Sequence, residues 1–175
     1  KFDTGMTRLG CDLEEAPRLF ESIQSMSFIE LRGIYSHLAF ADGDLNSQSS
    51  NVTEQQKSRF ELVLKNCALR PKTVCCHLAN SAGTLRDSSL HYDMVRVGLA
   101  LYGYNPISHS HGDLELRPAM SLKARVTLLR EVPSGVGVSY GHRFKTNRPS
   151  RLAVVSIGYA DGVSRSLSGK ISALF

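Results

Sequence analysis

The 175-residue chain reads as an α/β protein: the second half of a (β/α)8 TIM-type barrel followed by part of a mostly antiparallel β domain. Three observations predict this. Short apolar runs of strand type alternate with amphipathic helical stretches as far as Leu101, the pattern of a parallel sheet with right-handed crossovers. The two later runs, 73–78 and 94–101, each spill at their C-terminal ends into small, polar or aromatic residues, where a barrel of this class builds its phosphate site. From Pro118 onward the period changes to two, as in a sheet with one solvated face. The expected division is 1–117, linker included, and 118–175.

Lys1–Asp3 reads as a strand end, followed by a tight bend at Thr4, Gly5 and Met6 and then Arg8. Ala16, Leu19, Phe20 and Ile23 make one apolar helix face, with Pro17 tolerable only in the first turn. Leu31–Phe40 is the next strand and runs into an acidic loop, 41–44. Thr53 and Gln56 have the spacing of a capping box, which places a helix start there, with Phe60, Val63, Leu64 and Cys67 as its buried stripe. Lys72–Leu78 and Met94–Leu101 complete four units, half of an eight-stranded barrel. After a linker, 105–117, Met120, Leu122, Ala124, Val126 and Leu128 alternate with polar residues along a strand predicted over 118–132. Further strands are expected over 136–144 and 151–159.

A content of 42% hydrophobic residues suffices for a core. The net charge of +5 comes from scattered basic residues, which favours a small anionic ligand over nucleic acid. Cys11, Cys67, Cys75 and Cys76 lack the paired spacing of a zinc site, so no metal is expected and reduced thiols in a cytoplasmic protein are the simpler reading. No apolar run approaches the roughly 20 residues of a membrane span, and no signal segment is visible. His109–Asp113 reads as a polar interdomain linker rather than a metal chelate. The start without Met inside a strand end, and the stop without a polar tail, lead to the expectation of a piece of a longer protein.

On the barrel reading, strand ends bring Lys1, Arg8, His37, Asn80, Ser81 and Arg96 to one mouth. That set is rich in cations and hydrogen-bond donors and suits a ligand with phosphate and carboxylate groups. Simpler roles stand beside these. A lone arginine such as Arg8 is usually a solvated charge, His37 on an apolar strand is usually a satisfied core residue, and Asn80–Ser81 is equally a helix cap.

The segments Lys1–Gly10, Ser36–His37, His77–Ala82, Arg96–Gly103, Leu122–Arg125, Val138–Gly141 and Ile157–Gly162 resemble, in order and spacing, the middle of bacterial alanine racemases. The likeness covers nearly the whole chain. It implies pyridoxal 5'-phosphate as cofactor, L-alanine and D-alanine as substrates, production of D-alanine for peptidoglycan, and a homodimer with active sites shared across its interface. It implies that Ser81 and the Gly98–Leu99 backbone hold the cofactor phosphate with Asn80 beside it, that Arg96 faces the pyridine nitrogen, and that His37 packs near the ring. Arg8 would meet the substrate carboxylate or the cofactor's phenolic oxygen, and Lys1 is a position that some members carry as a carbamate. Tyr140 would be a catalytic base supplied to a partner copy, with Tyr159 and Asp161 at the substrate entrance, although 157–162 also reads as a strand and turn. The lysine that links to the cofactor would lie upstream of residue 1, so the piece alone is expected to be inactive. A serine or broad-specificity racemase and a non-catalytic cofactor-binding barrel are the competing readings, the latter disfavoured by the β segment.

Overall fold

The computed structural model describes residues 1–43, 48–67, 74–107 and 114–173. The predicted linker cluster His109–Asp113 lies outside them, as does the start of the strand predicted from Lys72. The chain divides into two compact units, Lys1–Met120 and Ser121–Phe175.

In the first unit, helix α1 spans Ala16–Ser25 with proline in its opening turn, where a missing N–H is harmless. Strand β1 is Gly33–Tyr35, helix α2 is Gln48–Asn66, strand β2 is Cys75–His77, and helix α3 is Ser81–Arg86. β1 and β2 pair in parallel, with Gly33 opposite Cys75 and Tyr35 opposite His77. Segments on either side extend this array in chain order. The Phe2 amide donates to the Tyr35 carbonyl at 2.9 Å, and the amides of Asp93 and Arg96 donate to the carbonyls of Cys76 and Ala79, each at 3.0 Å. Four successive segments are therefore neighbours, as in consecutive βα units.

The core lies between α2 and this array. Phe60, Val63 and Cys67 face Ile34 and Cys76, with Leu38, Leu78, Ala79, Ala82 and Leu90 closing it. The predicted stripe of α2 is thus the buried one, while on α1 only Ala16 is fully buried. Phe60 meets the ring of Tyr92 edge-on at 5.2 Å, a favoured aromatic geometry.

Three expectations for this unit are corrected. The capping box does not form, because α2 begins five residues earlier and Thr53 and Gln56 lie inside the helix. Their side chains reach backbone groups of the neighbouring loop instead. The strand predicted over Leu31–Phe40 is only Gly33–Tyr35, since the residues after Ser36 bond to side chains rather than to a ladder. No strand forms over Met94–Leu101. The backbone bonds here run from Asp93 to Cys76 and from Arg96 to Ala79 beyond the end of β2, a spacing unlike a parallel ladder, and Leu99–Tyr102 winds into a 3-10 turn.

In the second unit, β3 (Val126–Val132) pairs antiparallel with β6 (Ser150–Val155), and β4 (Gly137–Val138) pairs with β5 (Phe144–Lys145). The predicted start of β3 at Pro118 is too early, since 118–125 is irregular, and a register shift between Val126 and Leu128 interrupts the alternation. The strand expected over 136–144 is a short hairpin with a 3-10 turn, Tyr140–His142, at its tip. The strand expected over 151–159 stops at Val155, and Tyr159–Asp161 is another 3-10 turn. With only two strands per sheet, residues such as Leu128, Leu129 and Val154 stay exposed.

Phe60→Ala removes a fully buried ring from the centre of the first unit. It is expected to cost about 3–5 kcal/mol, read as a lowered midpoint in urea denaturation followed by circular dichroism.

Candidate active site

The C-terminal ends of β1 and β2 carry a cluster built around Arg96. Because Tyr35 and His77 are opposite each other in register, their rings stack at 4.9 Å and 10°. The Arg96 guanidinium lies 5.2 Å from the centre of the Tyr35 ring. Its Nη1 donates to Nδ1 of His77 at 2.6 Å, and its Nη2 donates to the Ser36 carbonyl at 2.7 Å and to Nδ1 of His37 at 3.1 Å. The Leu78 carbonyl accepts a longer bond at 3.3 Å.

Arginine is a donor only, so both imidazoles present a bare Nδ1 and carry their protons on Nε2. Burial pushes the imidazolium forms of both histidines down in pKa, and the Arg96 charge adds to that effect. For His37 the charges of Arg8 and Lys1 act, more weakly than Arg96, in the same direction. Arg96 itself is half-buried, and desolvation lowers its pKa, yet a guanidinium remains protonated.

Local chemistry places each of these groups. Asp93 holds the Arg96 segment to β2 from both sides, its carboxylate accepting from the Cys76 amide at 2.7 Å while its own amide donates to the Cys76 carbonyl. Asp3 accepts from the amides of Gly5, Met6 and Thr7, which shapes the bend leading to Arg8 and, through the Thr7 bond first, lowers the Asp3 pKa. Arg8 is exposed on that loop. Gly10 closes the loop at φ +137°, and a Cβ there would sit 2.7 Å from the Asp3 nitrogen, so a side chain would force the loop open.

Asn80 caps α3, accepting from the Gly83 amide at 3.0 Å, and its side-chain nitrogen donates to the Leu38 carbonyl at 3.2 Å. Its amide thereby ties the β1 and β2 loops together. The buried Ser81 hydroxyl accepts from the amides of Gly98 at 2.9 Å and Ala100 at 3.2 Å. A hydroxyl and two N–H groups therefore converge beside Leu99, and Gly98 has open space where a Cβ would stand.

The remaining candidates belong to the second unit. Tyr140 is 94% exposed on the tip of the β4–β5 hairpin. Ser139 and His142 on either side have φ of 58° and 45°, a left-handed backbone uncommon for these residue types. Thr146 buckles the hairpin base, its hydroxyl accepting from the Val136 amide at 3.0 Å and donating to the Pro133 carbonyl at 2.8 Å. Tyr159 is exposed beneath the Arg165 guanidinium, and the Asp161 carboxylate accepts from the Gly158 amide at 2.9 Å.

With this geometry in view, the comparisons have a structural counterpart. Residues 1–106 match the family model "Alanine racemase, N-terminal domain", and residues 119–175 match "Alanine racemase, C-terminal domain". The chain belongs to the alanine racemase family. It is 59% identical over 174 residues to the alanine racemase of Prochlorococcus marinus, covering 99% of this chain and 45% of that protein. The crystal structure of alanine racemase from E. faecalis superposes with a TM-score of 0.81 at 32% identity, over 96% of this chain and 44% of that one. The structure of alanine racemase from Bartonella henselae with covalently bound pyridoxal phosphate gives 0.72 at 38% identity, over 94% and 43%. The chain thus spans under half the length of the alanine racemases it matches. The expected order, an α/β unit followed by a β unit, holds in kind.

The sequence reasoning missed Tyr35, His77, Thr4 and Gln56. His77 stands at the end of β2, with a spacing to Asn80 that signals a strand running into a helix. Gln56 gave no such signal, because its spacing from Thr53 matched a helix cap.

Since the folded protein favours neutral His37 and His77, the unfolded chain binds more protons around the ordinary imidazole range. Their contribution to stability is present above about pH 6.5 and is lost as pH falls through that value toward the lower folded ones. Urea midpoints measured across this range are expected to drop on acidification. The double variant His37→Asn and His77→Asn is expected to flatten the slope.

Proposed function

We propose that the protein to which this chain contributes interconverts L-alanine and D-alanine with pyridoxal 5'-phosphate, using one base on each face of Cα. What supports this reading is the Arg96 guanidinium bonded to His37 and Ser36 and the Ser81 hydroxyl bonded to the Gly98 amide, in a member of the alanine racemase family. When bound, the cofactor withdraws electrons from the amino acid and acidifies its Cα hydrogen.

The residues present fit that group. The Ser81 hydroxyl hydrogen and the Leu99 amide would donate to the phosphate, the Gly98 and Ala100 amides being already given to the Ser81 oxygen, with Asn80 keeping α3 and the β1 loop in register. Arg96 keeps its Nε hydrogen and one Nη1 hydrogen beyond the bonds named above, enough to address a ring nitrogen. Because Arg96 does not surrender a proton, the ring stays a moderate electron sink, which limits side reactions. His37 packs near the ring face, held neutral by the surrounding cations.

Arg8 orients the substrate carboxylate, and Lys1, carried as a carbamate, would supply an anion to steady Arg8. Tyr140 is the base for one face, reaching the active site of a second copy in a homodimer. Its exposure at a hairpin tip supports that role. A phenol with an ordinary pKa near ~10 serves there only beside cations such as Arg96 and Arg8. Tyr159 and Asp161 line the entrance. The second base is the cofactor-linking lysine outside this chain. In this reading residues 1–117 complete a (β/α)8 barrel, 118–175 begin the β domain, and the enzyme supplies D-alanine for peptidoglycan from the cytoplasm. The described helices include none long and apolar enough to cross a membrane.

The full-length protein loaded with pyridoxal phosphate is expected to racemise L-alanine, followed by chiral chromatography, and to turn over L-serine more slowly. Tyr140→Phe is expected to reduce turnover by about 100-fold or more. Cofactor binding without racemisation, or an unchanged Tyr140→Phe variant, overturns the reading.

A further inference from the structure

Gln56 occupies an unusual place for a helix side chain. It is 1% exposed, and its carboxamide leaves α2 to meet two separate loops of the site. Oε1 accepts from the Ala39 amide at 2.8 Å, and Nε2 donates to the His37 carbonyl at 2.9 Å and to the Thr4 hydroxyl at 3.2 Å. Both amide hydrogens are used, one toward a carbonyl that can only accept and one toward the Thr4 hydroxyl, which accepts it here. The Thr4 hydroxyl lies 2.7 Å from that of Ser36, whose carbonyl in turn accepts from Arg96. Thr4 and Ser36 are fully buried, so the network has no water to fall back on. One turn along α2, Arg59 donates to the Thr4 carbonyl at 3.0 Å.

We propose that Gln56 is a positioning residue for the active site: its carboxamide sets the backbone of His37–Ala39 and the Thr4 bend, and so fixes the His37 ring against Arg96 and the loop that carries Arg8. The functional importance of the residues it positions rests on the racemase reading; the geometric claim does not. The relevant distinction is between the two histidines. His37 sits on the loop that Gln56 holds, whereas His77 sits on β2 and shares no hydrogen bond with Gln56 among the described residues. The charged groups bearing on His37 are Arg96, Arg8 and Lys1, while His77 faces Arg96, then the Lys1 α-amino group and, more weakly, Asp93. Loosening the loop relaxes the first set and leaves the second in place.

The test follows the imidazole titrations of His37 and His77 by NMR in the full-length protein, with and without pyridoxal phosphate, for Gln56→Glu, Gln56→Met and the core control Val63→Ala. Gln56→Glu keeps the shape but removes both donors, and Gln56→Met removes the polar group altogether. Either variant is expected to move the His37 titration upward, toward the ordinary imidazole range, while His77 stays where it was. Alanine turnover is expected to fall about tenfold, the order associated with a buried bond left unmade. Val63→Ala is expected to lower the unfolding midpoint without separating the two titrations. The proposal is overturned if both histidines shift together, if neither shifts, or if Val63→Ala reproduces the pattern. It is equally overturned if neither Gln56 variant folds while Thr4→Val, which severs the link to Ser36, leaves His37 unmoved. A protein that shows the His37 shift but binds no pyridoxal phosphate keeps the positioning role and loses the racemase reading.

Discussion

The site depends on one half-buried guanidinium with no carboxylate paired to it among the described residues. Taking a charge out of water is costly unless its hydrogen bonds are replaced, and Arg96 replaces them with two carbonyls and two neutral imidazoles. Those four acceptors come from the ends of β1 and β2. The cation is thus a cross-link between successive segments, and its charge remains uncancelled where it stands. Both histidines accept from Arg96 in their neutral form, and burial first, with the Arg96 charge second, lowers their pKa values and keeps them so.

That uncancelled charge also sets what the site can accept. An uncompensated guanidinium of this kind is complementary to an anionic group. The ion pairs elsewhere contrast with it. Arg32–Glu30, Arg117–Glu115 and Arg151–Glu131 are all solvent-exposed, where water screens the attraction and little stability is gained. The described ion pairs are therefore spent on the surface, and the site is organised by neutral hydrogen bonds around cations.

The second unit has a different logic. Its sheets are two-stranded, and Thr146 is its one buried residue among those described. Among the described residues its order rests on the β3–β6 ladder and on the Thr146 hydroxyl at the base of the hairpin. The tip it presents carries Tyr140 between two residues of left-handed backbone, conformations that cost stability and tend to persist where a side chain must be aimed.

Much of this was legible from the residues alone, because it is governed by local period and composition. The α2 stripe of Phe60, Val63 and Cys67, the proline in the first turn of α1, the Asn80 cap and the change of pattern near residue 118 all follow from side-chain spacing. The motif order also pointed to Lys1, Arg8, His37, Ser81 and Arg96. What spacing could not decide is which polar group faces which. Thr53 and Gln56 satisfy the pattern of a helix cap, yet α2 starts earlier, and the buried carbonyls of Phe40 and His37 offer partners that exist only once the β1 loop lies against the helix. Likewise, Met94–Leu101 has the composition of a strand, but a strand is defined by its neighbour's hydrogen bonds; the Asp93 carboxylate takes the Cys76 amide of β2, and the Ser81 hydroxyl takes the amides of Gly98 and Ala100. Sequence by itself determined the helices, the apolar faces and the family; tertiary contact alone determined the partners of each buried polar atom, because those lie dozens of residues apart along the chain.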